Sequence, residues 1–222
     1  LRETLALYRE LVLAPLLPAS QLEDSRMVAM QELWALEDDL AQKLIKVLRK
    51  RLYPDPYGRS TTGTMESVQA IQLENIQNHV KNFYVPDQAI LSIAGKIDFN
   101  EVQNMVDELF GSWQGTVQQE LTEHPLAEGH HHIEHDSNQT QIGIVFPSVP
   151  YSHPDYFLAR SAIGVLSDGM SSRLFTEVRE KRGLCYTVYA MCHTIKDYGC
   201  VLAYAGTTTE RAQETLDVML QE

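Results

Sequence analysis

The sequence predicts a mixed fold of helices and strands, in two parts of different character. Three observations carry this reading. Residues 1–115 are dominated by helical periodicity. Within them the run Ala89-Ile90-Leu91-Ser92-Ile93-Ala94-Gly95 reads as a buried strand that feeds directly into a helix. After residue 139 strand patterning returns and alternates with further helices.

Taken in order, the helices of the first part are broken at Leu17-Pro18-Ala19-Ser20, at Tyr53-Pro54-Asp55-Pro56-Tyr57-Gly58 and around Tyr84-Val85-Pro86. Asp98 is placed to cap a helix over about 100–110, which Gly111 closes. Residues 116–138 are polar, hold Pro125 and Gly129, carry no sustained hydrophobic pattern, and read as a linker. A strand is expected over 139–146, a helix over about 154–166, and a turn at Ser167-Asp168-Gly169-Met170. A second helix follows over 171–182, with Gly183 just past its end. Strands then cover 184–193 and 199–206, and Thr209 opens a last helix. The domain reading is therefore 1–115, a linker at 116–138, and 139–222.

Composition narrows the function classes. The chain has 222 residues, with 18 Lys+Arg against 30 Asp+Glu and a net charge of −12. An acidic excess spread along the chain argues against a partner that presents phosphates along a backbone, so no nucleic acid is expected. A hydrophobic content of 44% is that of a folded protein. No apolar run reaches the length of a membrane span. Cys185, Cys192 and Cys200 have no framework spacing and read as free thiols, with one disulfide as the alternative. The opening residues read as the middle of a helical protein, so the chain is expected to be an internal fragment.

Glu32 is the first residue that carries chemistry. At helical spacing it is surrounded by Val28, Ala29, Ala35 and Leu36, and Met27, Met30 and Trp34 form a stripe beside it. A carboxylate against an apolar surface needs a cation or a metal to offset its desolvation. The plain reading is a buried ion pair, or a helix less buried than its pattern suggests; the other is a metal or catalytic role.

A partner is suggested by His131-His132-Ile133-Glu134-His135, which contains the H-x-x-E-H spacing of the inverted zinc peptidases. That chemistry needs a helix, where positions i, i+3 and i+4 share one face. Gly129 and Asp136-Ser137-Asn138 leave too few residues for one, so the stretch reads as solvated linker.

The second constellation lies at a helix-to-strand junction. Arg179 sits on the helix whose core face is Leu174, Phe175 and Val178, and the alternation Leu184, Tyr186, Val188, Ala190 places Tyr186 beside apolar neighbours. An arginine fork and a phenol at such a junction can bind a peptide backbone or steady an oxyanion. The plainer reading is an exposed arginine on a charged helix and a tyrosine that fills the core.

In order and spacing, the chain resembles the M16 family of zinc metallopeptidases, the group of pitrilysin, insulin-degrading enzyme and mitochondrial processing peptidase. The resemblance covers Arg26-Met27-Val28-Ala29-Met30-Gln31-Glu32-Leu33, Tyr57-Gly58-Arg59 through Gly63-Thr64, Phe83-Tyr84-Val85-Pro86 through Ala94-Gly95, and Phe110-Gly111-Ser112-Trp113. In the second part it covers 139–147 and, most specifically, Ser172-Arg173-Leu174-Phe175 through Arg179 to Gly183-Leu184-Cys185-Tyr186.

The resemblance implies an M16 metallopeptidase-like (LuxS/MPP-like) α+β fold, a mixed sheet packed with helices, here as the later part of one domain and the first part of a similar one. Glu32 matches the family's distal zinc-binding glutamate, and Arg179 with Tyr186, seven residues on, matches the pair that grips substrate. Ser25 departs from the acidic residue the family often has seven positions before that glutamate. The two zinc histidines and the general base belong to an H-x-x-E-H helix further upstream than the 31 residues before Glu32. The implied function is zinc-dependent hydrolysis of peptides or unfolded segments, in a homodimer or a heterodimer with another M16-type subunit, with the fragment alone inactive. A non-catalytic subunit that assists a zinc-bearing partner is the alternative.

Overall fold

Among the described residues, helical periodicity in the first half becomes α1 (Arg2–Leu13), α2 (Leu22–Asp38), α3 (Leu40–Leu52), α4 (Met65–Ala70), α5 (Leu73–Phe83) and α6 (Phe99–Phe110). The breaks before α2, α4 and α6 hold prolines, where a missing N–H and a fixed φ end the helical ladder, whereas Asp39 caps α3 and Gln72 caps α5. Residues 1–87, 89–117 and 129–222 are described by a computed structural model. It divides the chain into two units, Leu1–Glu32 with Gly63–Leu121, and Leu33–Thr62 with Thr122–Glu222.

In the first unit the helix ends are closed by side chains. The Asp98 carboxylate accepts from Glu101 N at 3.0 Å, and Gly111 follows the last turn of α6. Thr64 and Ser67 form a reciprocal capping box at the start of α4. At the other end of α4 the Arg26 guanidinium donates to the carbonyls of Val68, Gln69 and Ile71 at 2.6, 2.7 and 2.9 Å. A cation on those carbonyls both satisfies them and opposes the helix dipole. Arg9 of α1 does the same for Leu109 O of α6, at 2.6 Å.

Residues 89–95 correct the sequence reading. They form no strand, and Ile90 is 89% exposed. A strand is stable only with a neighbour to take its N–H and C=O groups, and no described segment of this unit pairs with it.

The second unit holds a three-stranded antiparallel sheet in the order β1-β3-β2, built from β1 (Gln139–Ser148), β2 (Cys185–Ile195) and β3 (Tyr198–Thr208). Strand β3 is central and buried on both faces, which is why its sequence is continuously apolar. Val201, Ala203 and Ala205 meet Ile163 of α7 (Tyr156–Ser167) and Val218 and Met219 of α8 (Ala212–Gln221). On the opposite face Leu44 and Leu48 of α3 lie over β1 at Gly143. The structure is thus α+β, with helices on both sides of the sheet. Of the expected linker, 118–128 lie outside the described residues, and 129–138 form neither helix nor strand. Cys185, Cys192 and Cys200 are free.

On the α3 face, Tyr53 is fully buried, with its hydroxyl at His193 Nδ1 and 3.2 Å from His193 O. Burial, helped by the charge of Arg49, holds the His193 imidazole below its ordinary value of about 6.5. The folded state therefore prefers neutral His193, and below pH about 6.5 the unfolded state takes up the proton first. Stability from this site is complete above that pH and is lost as pH falls from there toward the lowered folded value. Thermal midpoints across this window are expected to fall less steeply for His193→Asn than for the parent. Parallel slopes would remove His193 from the acid response.

Candidate substrate-binding site

Two local irregularities place the Arg179 and Tyr186 side chains together. The expected helix over 171–182 begins with a short turn at 173–174 and then widens into a π-helix over Phe175–Glu180, with Lys181 N donating to Thr176 O, five residues back, at 2.9 Å. Such widened turns are frequent at functional sites. Leu174 and Val178 remain buried and anchor the turn in the core. Gly183 then reverses the chain at φ +57°, a conformation that disfavours a Cβ. Leu184 N–H returns to Val178 O at 3.0 Å.

Strand β2 starts with the second irregularity. Cys185 pairs with Thr207 and Thr187 with Gly206, so two steps on β2 oppose one on β3, and Tyr186 is the extra residue. The bulge breaks the alternation read from the sequence. Cys185 takes the core position, and Tyr186, expected beside Leu184, Val188 and Ala190, is 83% exposed. Re-aiming one side chain is what a bulge does.

The re-aimed ring meets the guanidinium. Arg179 Cζ lies 5.1 Å from the Tyr186 ring centroid and 4.6 Å from that of Phe175, inside the range for cation–π attraction. Glu180 Oε1 stands 3.8 Å from Arg179 Nε, too far for a hydrogen bond, and among the described residues no acceptor takes the donors of the fork. The adjoining backbone is held firmly. Arg211 donates to Gly183 O and Arg182 O at 2.8 and 2.9 Å, and buried Thr207 donates to Leu184 O at 2.7 Å. The Thr215 hydroxyl closes this chain on Thr207 Oγ1 at 3.1 Å. Sequence reading missed these three supports, because no local pattern relates positions 183, 207 and 215.

Tyr186 also borders a cleft of about 780 Å³ on the α3 side of the sheet, lined by Asp38, Asp39, Gln141, Thr187 and Tyr204 among others. Asp39 is engaged as the cap of α3, accepting from Gln42 N at 3.0 Å. The cleft therefore offers a hydroxyl-rich wall beside the Arg179–Tyr186 pair.

Glu32 is exposed on α2. This corrects the apolar surround expected from helical spacing: Met30 is buried but Met27, Val28 and Trp34 are exposed. Periodicity identifies an apolar stripe without saying that anything covers it. His131, His132 and His135 lie in exposed, non-helical chain, and His131 Nε2 is 2.9 Å from Arg51 Nη1. Among the described residues no three His, Cys, Asp or Glu side chains come together as a metal site. A catalytic zinc takes three protein ligands, so the residues described here do not hold one by themselves.

A family model described as the peptidase M16 inactive domain matches residues 70–222. The chain belongs to the peptidase M16 family. Similar proteins to this M16 chain include an uncharacterised zinc protease of Mycobacterium leprae, 30% identical over 89% of the chain and 46% of the relative. The uncharacterised zinc protease YmxG of Bacillus subtilis is 26% identical over 91% of the chain and 50% of its own length. The M16 chain thus spans about half the length of these curated relatives. In fold it is similar to the crystal structure of a peptidase M16 inactive domain from Pseudomonas fluorescens, at TM-score 0.86 and 23% identity over 99% of the chain and 56% of that structure. A protease from Helicobacter pylori superposes at TM-score 0.84, with 19% identity over 99% and 56%.

Proposed function

We propose that this M16 chain is part of a zinc-dependent endopeptidase that hydrolyses peptides or unfolded segments, in which Arg179 and Tyr186 hold the substrate. The observation that carries this reading is the stacking of an available guanidinium on an exposed phenol at a bulge. A guanidinium fork donates to peptide carbonyls in fixed directions, and the ring beneath it limits its rotation. The Tyr186 hydroxyl adds one donor that can follow a carbonyl oxygen as it gains negative charge. The names of the relatives support zinc as the metal of the intact protein. Glu32 is offered as one ligand on the strength of the resemblance. Residues 1–115 and 139–222 are carried forward as parts of two M16-like domains, and a dimer with itself or another M16-type subunit as the assembly.

The test is peptide cleavage by the intact protein. Arg179→Ala is expected to lower kcat/KM by about 10- to 100-fold, the loss typical of a hydrogen bond to a charged group, with zinc content unchanged. Tyr186→Phe should cost less, since the ring that orients Arg179 remains. Unchanged kinetics in Arg179→Ala would reject the assignment. A second reading is a non-catalytic subunit that lends Arg179 and Tyr186 to a zinc-bearing partner, and it rests on the same stacked pair.

A further inference from the structure

The second unit contains a basic cavity that the peptide-holding reading leaves unused. It measures about 180 Å³ and lies between α3 and the segment 58–62, with Lys46, Arg49, Arg59, Ser60, Thr61 and Thr62 on its walls. In a chain of net charge −12, three cations and three hydroxyls around one small space call for an explanation. Helix α3 carries Lys43, Lys46, Arg49, Lys50 and Arg51 and no acidic residue.

Two of the cavity's three cations have no close ion pair of their own among the described residues. Arg59 is neutralised by Asp55, with Nε on Oδ1 at 2.7 Å and Nη2 on Oδ2 at 2.6 Å. The carboxylate of Glu37 is hydrogen-bonded by Lys43 at 2.6 Å and feels the charge of Lys46 at longer range. Lys46 and Arg49 form no ion pair among the described residues, although both are half-buried. Cations drawn partly out of water without a counter-charge favour an anion from solution.

The lining also selects the kind of anion. Lys46 and Arg49 line the cavity from α3 and Ser60, Thr61 and Thr62 from the segment that follows, with Leu36 and Ile45 completing the wall, and the Ser60 and Thr62 hydroxyls are hydrogen-bonded to each other at 2.9 Å. A planar carboxylate brings one negative charge and accepts in one plane. A phosphate group brings about −1.5 to −2 and accepts in a tetrahedral set of directions, which suits two cations and several hydroxyls lining one small space. The space equals roughly six water volumes, enough for one such group and too small for a folded segment.

Gly58 sets the width of the cavity. A Cβ there would fall 2.6 Å from Tyr53 O and 3.1 Å from Arg49 O, so any side chain would push the segment off the end of α3. The Tyr-Gly-Arg run thereby keeps the three hydroxyls within reach of the helix.

We infer that this cavity is a binding site for a phosphate group, either the free ion or a phosphomonoester. The experiment is titration of the intact protein with inorganic phosphate, and separately with O-phosphoserine, followed by thermal midpoint and by ³¹P line broadening against chloride at equal ionic strength. Saturable binding is expected, weakened at least tenfold by Lys46→Gln with Arg49→Gln, substitutions that keep most of each stem. Lys50→Gln, on α3 but off the cavity, should bind as the parent does. Circular dichroism of the double variant confirms that it is folded, and ³¹P broadening reads binding independently of stability. Binding of phosphate alone identifies the free ion; binding of both identifies the phosphate group of a larger molecule. Saturation with neither probe, full binding by the double variant, or equal loss in Lys50→Gln overturns the proposal.

Discussion

Tyr53→Ala is expected to destabilise the protein by about 3–5 kcal/mol, the cost of deleting a buried aromatic side chain together with the cavity it leaves. Tyr53 is 1% exposed and joins the end of α3 to the sheet. Its ring stands 5.4 Å from His193 and 6.4 Å, edge-on, from Tyr198, and its hydroxyl lies 3.5 Å from Cys200 Sγ. Burial raises both the phenol and the Cys200 thiol, so both groups stay protonated across the physiological range. Tyr53→Phe separates packing from hydrogen bonding. It keeps the ring but removes the hydroxyl that meets His193 Nδ1 and donates to His193 O, at a cost of about 1–3 kcal/mol. Urea unfolding of the intact protein measures both. A Tyr53→Ala loss no larger than that of Tyr53→Phe would show that the ring does not carry the contact between α3 and the sheet.

Much of this architecture was legible because it rests on local chemistry. Asp98 and Gly111 bracket α6 through hydrogen bonds that the residue types themselves dictate. The strand at 139–148 and the hairpin of β2 and β3 follow from runs rich in β-branched, aromatic and small apolar residues. The failures share a physical origin, since each depends on a partner distant in sequence. Residues 89–95 have strand composition, but composition does not supply a neighbouring strand. The apolar positions around Glu32 have helical spacing, but spacing does not supply a covering surface. Tyr186 was assigned to the core side by strict alternation, and a one-residue bulge set by pairing with Thr207 and Gly206 reversed it.

The site shows the same division. Arg179 and Tyr186 stand out at a helix-to-strand junction and through the family resemblance, yet what brings them together is a π turn on one side of Gly183 and a bulge on the other. Neither has a sequence signature. The phosphate cavity left a visible trace, the cationic run along α3 and the Gly-Arg-Ser-Thr-Thr segment after it, but only the fold brings them face to face.

In the intact protein, Glu32→Ala is expected to weaken zinc binding by about 100-fold or more, because a catalytic zinc is held by only three protein ligands. The substitution isolates metal binding from folding unusually well. Glu32 is exposed and makes no hydrogen bond or ion pair among the described residues, and alanine is the best helix former, so the stability of the metal-free protein should shift by no more than about 0.5 kcal/mol. Arg179→Ala supplies the opposite pattern, with zinc retained and catalytic efficiency reduced. The two variants therefore separate three readings with two measurements, bound zinc per polypeptide and kcat/KM. Loss of zinc in Glu32→Ala alone supports the peptidase with Glu32 as a ligand. Full zinc in Glu32→Ala moves the ligand elsewhere in the protein. An intact parent protein that binds no zinc, yet loses its effect on a zinc-bearing partner's kcat/KM when Arg179 is replaced, supports the assisting subunit.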